Sequence, residues 1–114
     1  MVRPRVVVIE YDARFPPYIA VVPKYDPART WDGTSYMGAS LEALTRVARR
    51  RGYVLVGCSF VGVIAFFVRE DLATGKFHAP FTAENHYHPI RYFLWELYHT
   101  GHGRGWGPYT QVPD

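Results

Sequence analysis

The sequence predicts an α/β fold, a small mixed sheet with one crossover helix and a C-terminal helical extension. Three apolar runs, at residues 5–11, 53–60 and 62–70, are typical of buried strands. Between the first two runs lies a helical pattern long enough for a right-handed crossover. A chain of 114 residues suits one domain. We therefore expect a single domain over 1–114, with the sheet in 1–70 and a helical and irregular extension in 71–114.

The first strand is a continuous β-branched run from Val6 to Ile9, which favours burial on both faces. Pro4 precedes it, where a missing N–H is tolerated. Residues 12–32 then form a long irregular segment containing four prolines, with a short extended piece predicted at 19–22. Loops of this length in a small domain are often functional.

The crossover helix is predicted from Ser40 to Arg51. Ser40 is a favourable N-cap, and Gly52 suits the left-handed residue that ends a helix. The apolar residues of the segment recur at helical spacing on one face, and they are Leu41, Leu44, Val47 and Ala48.

The second and third strands are joined by a short turn over residues 59–62, which predicts an antiparallel hairpin. Beyond it we expect a helical turn at 71–75 and a short helix after Thr82. A longer helix over 90–99 would open at Pro89 and close at Gly101. The Gly- and Pro-rich tail, 101–114, is predicted to be irregular.

Composition indicates an ordinary globular protein, with 48% hydrophobic and 20% charged residues. No apolar run reaches the roughly 20 residues that span a bilayer, so we expect no membrane association. Cys58 is the only cysteine, which favours a reducing, cytoplasmic location. The run Arg49–Arg51 suits a helix C-terminus better than a nucleic-acid surface. Another interpretation is that the aromatic tail binds single-stranded nucleic acid in a salt-dependent manner.

Three segments in order, residues 6–15, 22–53 and 55–71, resemble the C-terminal half of FkbM-like, S-adenosylmethionine-dependent methyltransferases. The most specific pieces are IEY, the WDGT-Y-GAS segment and the GC to AFFVR hairpin. The resemblance is closest to an uncharacterised bacterial branch. It covers about two thirds of the chain.

The resemblance implies the back half of a Rossmann-like sheet. The first strand would be the fifth of seven, and the hairpin would supply the sixth and seventh. The seventh strand is antiparallel in that family and lies beside the fifth, which implies a strand order of 1-3-2 here. The open side of the first strand would pair with the family's fourth strand.

The family's cofactor cradle is a glycine-rich turn followed by an acidic residue for the ribose. Neither precedes Arg3, and the glycine-rich residues 101–107 follow no predicted strand. We therefore expect a methyltransferase-like chain that is inactive alone, without a cofactor in isolation. S-adenosylmethionine would bind only where a partner supplies the missing half.

The candidate substrate-binding residues fall in two places. Glu10 and Tyr11 end the first strand, where ligands of open α/β sheets gather. Trp31, Asp32 and Tyr36 precede the helix and form an aromatic pair around a polar turn. Structural roles are the alternative for all five, as an ion pair, a packed ring, or an Asp-Gly turn.

No metal site is expected. The weak alternative is a cluster of four histidines, His86, His88, His99 and His102, whose spacing matches no zinc signature. Cys58 lies in an apolar strand and is interpreted as a core residue.

A bare apolar strand edge favours pairing with another chain. We therefore expect a homo-oligomer, such as a homodimer, joined through the edge of the first strand or the adjacent faces. The favoured function is a non-catalytic binding or oligomerising module. The alternative is one part of a split methyltransferase that a partner chain completes.

Overall fold

The computed structural model describes residues 2–91 and 103–114. These residues form five strands and three helices: β1 (Val6–Glu10), β2 (Val21–Pro23), α1 (Leu41–Arg50), β3 (Tyr53–Cys58), β4 (Ile64–Arg69), α2 (Glu70–Ala73), α3 (Ala83–His86) and β5 (Tyr109–Gln111). None of the described helices is both long and apolar enough to cross a bilayer.

The main sheet has three strands in the order β1-β4-β3. Both ladders are antiparallel, with Val8 opposite Phe66 on one side and Val54 opposite Val68 on the other. β1 and β3 therefore run in the same direction without touching, because β4 lies between them. The predicted antiparallel hairpin of the second and third apolar runs is confirmed.

The predicted sheet needs correction in two respects. Every neighbouring pair is antiparallel, so the sheet is not mixed in its hydrogen bonding. The strand order also differs from 1-3-2, since the described residues form five strands and the main sheet reads 1-4-3 in chain order. The strand numbers change because residues 21–23 form a strand of their own. The described residues form a small α/β arrangement, and a Rossmann-like fold is not shown by them.

A second, two-stranded sheet joins β2 and β5, and the sequence did not predict it. Val22 lies opposite Thr110, and the Lys24 N–H donates to the Pro108 carbonyl at 2.8 Å. The tail predicted as irregular thus contains a strand. Four residues between prolines carry too little pattern to predict a strand, and β5 forms because β2 supplies its hydrogen-bonding partners.

Helix α1 agrees with its prediction. The Ser40 hydroxyl accepts from the Ala43 N–H, and Gly52 takes the expected left-handed conformation at φ 81°. The short helices α2 and α3 lie where helical turns were predicted, with Thr82 capping α3. Of the longer helix predicted over 90–99, only the first two positions fall within the described residues.

The core lies on both faces of the main sheet. The face beneath α1, called the front face, buries Leu41, Tyr53, Leu55, Ala65 and Phe67 with Tyr11, Ala13 and Ala83. The opposite, back face buries a smaller set, Val54, Val68 and Ala73, beside Leu72 and Phe81. Burial decreases toward β1, where four of five residues are exposed.

Candidate functional site at the open edge and carboxyl end of β1

The backbone of β1 is paired on one side only within the described residues. The Arg5 carbonyl accepts from Arg69 at 3.0 Å, and the Tyr11 N–H donates to Val63 at 2.9 Å. Because backbone groups alternate in an antiparallel ladder, the N–H and C=O groups of Val7 and Ile9 also point toward β4. The N–H and C=O groups of Val6, Val8 and Glu10 therefore point away from the sheet. We call this side of β1 the open edge.

From Val6 to Ile9 the side chains of β1 are apolar on both faces. Val6 and Val8 lie on the back face and are 51% and 57% exposed, beside Phe66 at 37%. On the front face Ile9 is 39% exposed. A strand with apolar side chains on both faces is typical of a sheet interior rather than an edge.

A groove of about 380 Å³ lies between the front face of β1 and α1. Val47 of α1 faces it and is 45% exposed, although helical spacing placed it with the core residues. The apolar face of α1 is therefore wider than the sheet beneath it. The groove is lined by Val2, Arg3, Pro4, Val7, Ile9, Leu44, Val47, Ala48, Arg51, Tyr53 and Phe67.

The carboxyl end of β1 is closed by a buried ion pair. Arg14 and Asp12 have side chains 10% and 5% exposed. Charge-assisted hydrogen bonds join them, the shortest being Nη2 to Oδ2 at 2.7 Å and Nε to Oδ1 at 2.9 Å. Arg14 also donates to the carbonyls of Gly105 at 2.6 Å and Ser35 at 2.7 Å. The Asp12 carboxylate raises the pKa of Arg14 further above its ordinary value.

Residues 103–111, called the tail strap, cover this ion pair. The Arg14 guanidinium lies 4.0 Å from the centre of the Trp106 ring. Tyr109 makes edge-to-face contacts with Phe15 at 5.0 Å and Tyr36 at 5.2 Å. The chain's own aromatic residues thus fill the region beyond the carboxyl end of β1.

Three predicted site residues support the tail strap. Tyr36 donates from its hydroxyl to the Pro108 carbonyl at 2.5 Å. Asp32 accepts from the Thr34 hydroxyl and N–H, and these hydrogen bonds hold its pKa below the usual range. Trp31 donates from Nε1 to the Thr34 carbonyl at 2.9 Å, and the residue is 63% exposed. The three meet around Thr34, which pairs with Gly103.

Glu10 and Tyr11 lie on opposite sides of the sheet. Glu10 is exposed, whereas Tyr11 is buried and donates from its hydroxyl to the His88 carbonyl at 2.7 Å. Burial, with Cys58 close by, raises the pKa of Tyr11. Burial also raises the pKa of Cys58 to about 11, so its thiol is protonated and weakly nucleophilic at neutral pH. The substrate-binding role of Glu10 and Tyr11 stays a prediction.

The described histidines make local contacts. His86 lies 3.1 Å from the His78 carbonyl through Nε2, and His88 lies 3.1 Å from an Arg91 nitrogen through Nδ1. Burial and the charge of Arg91 lower the pKa of His88. Among the described residues, no three His, Cys, Asp or Glu side chains are grouped to hold a metal ion. His99 and His102 lie outside the described residues.

Sequence reasoning identified the bare edge but missed two features beside it. Arg14 was not singled out, although an Asp-x-Arg sequence directly after a buried strand is a usable signal for a local ion pair. No sequence pattern indicates that Val47 is exposed, because periodicity assigns a residue to a helix face without showing how far the sheet extends beneath it.

Comparisons of the chain with protein-family models, with curated proteins and with solved structures found no match.

Proposed function

We propose that this chain is a non-catalytic binding or oligomerising module that joins another polypeptide by strand addition at the open edge of β1. The observation that carries the proposal is the set of outward-facing backbone groups of Val6, Val8 and Glu10 on an apolar strand. An added strand would give these groups hydrogen-bonding partners and bury the valine side chains.

The polar groups at the carboxyl end of β1 support a structural rather than catalytic role there. Asp12 and Arg14 satisfy each other, while the Ser35 hydroxyl accepts from the Gly105 N–H and the Ser35 carbonyl accepts from Arg14. In the described part of the chain, no buried side-chain nitrogen or oxygen lacks a hydrogen-bonding partner. A site poised for chemistry usually keeps such a group available.

Strand addition can be tested with a fluorescent synthetic peptide, RPRVVVIEYD, which copies residues 3–12. Val8→Pro removes an N–H from the open edge and leaves the β4 ladder intact, since the backbone N–H and C=O of Val8 point away from β4. Val8→Thr is the matched control, because it keeps both the N–H and the β-branched shape. By fluorescence anisotropy we expect Val8→Pro to bind the peptide at least about tenfold more weakly than Val8→Thr.

Equal affinity of the two variants for the peptide would overturn strand addition. So would the absence of peptide binding by a wild-type chain that light scattering finds to be monomeric. The cytoplasmic location suggested by the single cysteine belongs to the same proposal.

The direction of the strands favours a second candidate, a split methyltransferase. β1 and β3 run parallel with α1 between them in sequence, and β4 lies antiparallel between them in space. A partner's strand beside β1 would then bring the cofactor-binding half that the resemblance implies. In calorimetric titration with S-adenosylmethionine we expect no binding by the isolated chain. Tight binding would overturn the non-catalytic proposal.

A further inference from the structure

We infer that the strand added at the open edge is β1 of a second copy of this chain, antiparallel to the first about a two-fold axis at Val8. This inference rests on the proposed strand-addition role and names its partner. It follows from the spacing of the outward-facing backbone groups, the positions of two blocking residues, and the distribution of charge along β1.

The spacing makes the open edge self-complementary. The outward-facing residues Val6, Val8 and Glu10 are evenly spaced about Val8. With Val8 opposite Val8 of the second copy, each Val6 lies opposite a Glu10. Each such pair exchanges two N–H to O=C hydrogen bonds, as opposed residues of an antiparallel ladder do. Every outward-facing N–H and C=O of both strands then has a partner.

The neighbouring registers leave backbone groups unpaired. A two-fold axis at Val7 would set Glu10 opposite Pro4, which has no N–H to donate. An axis at Ile9 would set Val6 opposite Asp12, whose N–H already donates to the Ala39 carbonyl at 2.8 Å. The register centred on Val8 is therefore the one in which all three outward-facing residues are satisfied.

Charge favours the antiparallel direction. Arg3 and Arg5 precede β1, and Glu10 ends it. Antiparallel pairing sets the acidic end of each strand beside the basic end of the other, whereas parallel pairing would set arginine beside arginine. Opposite charges across a ladder stabilise it and like charges destabilise it.

The same axis covers both faces of the open edge. A two-fold axis perpendicular to the sheet keeps the two α1 helices on one side, so the two grooves and their exposed Val47 side chains face each other. On the back face the two Val8 side chains meet directly. Two three-stranded sheets thus become one continuous sheet, and the apolar side chains of β1 take the interior positions that their composition suits.

The test is a cross-linking experiment on the full chain with Cys58→Ser as the background. In the inferred register the two Val8 residues are directly opposed, with Cα atoms about 5.5 Å apart, within the range that a disulfide spans. Val6 lies on the same face with similar exposure, but it is four residues from Val6 of the second copy, about 13 Å along the strand. Val6→Cys is therefore the matched control for Val8→Cys.

We expect wild-type protein to be a dimer in light scattering at micromolar concentration. On oxidation, Val8→Cys should form at least about tenfold more covalent dimer than Val6→Cys, because only the former has its Cα atoms within bonding range. A monomer, equal cross-linking of the two variants, or a dimer in which neither cross-links would each overturn the inference. If Val8→Cys does not fold, hydrogen exchange of the Val8 amide in the wild-type protein tests the inference instead. In the inferred dimer, this exchange should slow as protein concentration rises.

The outcomes also separate this inference from the proposed function. A monomeric chain that binds the RPRVVVIEYD peptide would overturn the two-fold dimer while leaving strand addition intact. A monomeric chain that does not bind the peptide would overturn both.

Discussion

The open edge and the carboxyl end of β1 lie within a few residues of each other and differ in how their polar groups are satisfied. At the open edge, three residues direct backbone groups outward between apolar side chains. At the carboxyl end, Asp12 and Arg14 are almost fully buried and hydrogen-bonded to each other. Here the charged residues hold the fold together, and the apolar strand presents the surface that we propose for binding.

The carboxyl end of β1, called the closed end, depends on the guanidinium group of Arg14. Arg14 contacts Asp12, the Ser35 carbonyl, the Gly105 carbonyl and the Tyr109 hydroxyl, so it joins three stretches of chain that are distant in sequence. A planar group with five donors can do this, and an ammonium cannot match the geometry. The ion pair therefore fixes the loop before α1 and the tail strap in one arrangement.

The largest effect we expect is from Arg14→Met, which removes the donors and leaves Asp12 buried and unpaired. Breaking a buried pair on one side should lower the free energy of unfolding by about 3 kcal/mol. Urea denaturation followed by tryptophan fluorescence measures the change. Arg29→Met is the control, because exposed Arg29 only stacks over the Tyr36 ring at 4.6 Å, and its loss should cost about 0.5 kcal/mol. Equal losses would show that the ion pair does not secure the closed end.

A smaller effect is expected from Gly105→Ala in the tail strap. A Cβ at Gly105 would lie 2.0 Å from the Thr34 hydroxyl oxygen and 2.6 Å from its Cβ, so the tail strap or Thr34 must move. We expect a loss of about 1–3 kcal/mol in the free energy of unfolding. At Gly103 an added Cβ would meet nothing within 4 Å, which makes Gly103→Ala the matched control. The docked position of the tail strap would be contradicted if both variants were equally stable.

The sequence predicted the elements whose signals are local. Ser40, the periodic apolar residues of α1 and Gly52 located the helix, and the turn before Val63 located the hairpin. The bare edge of the first strand was also predicted, from a resemblance together with an apolar run. The helix and the hairpin depend on residues that are close in sequence, and sequence patterns report such neighbours directly.

The features that the sequence did not predict depend on partners distant in the chain. β5 forms because β2 lies opposite it, and Tyr36 reaches Pro108 across 72 positions. Asp32 and Tyr36 were candidate ligand residues because they are polar or aromatic beside a turn, yet their polar groups bond to the chain itself. A pattern of residue types does not show whether a polar group is already satisfied, and that distinction separates the two ends of β1.

The smallest effect on folding, and the sharpest contrast with Arg14→Met, is expected from Val8→Lys. Val8 is 57% exposed, so the free energy of unfolding of the monomer should change by less than about 0.5 kcal/mol. Lysine on an edge strand opposes strand pairing, because pairing would bury two ammonium groups against each other. Light scattering should therefore show a monomer, and urea denaturation at a protein concentration low enough to dissociate the wild-type dimer should show near wild-type stability. Tyr25→Lys, at a loop position that is 86% exposed, should change neither measurement. A loss of stability comparable to that of Arg14→Met would mean that Val8 belongs to the folded core, and the open edge would then lose its distinction from the closed end.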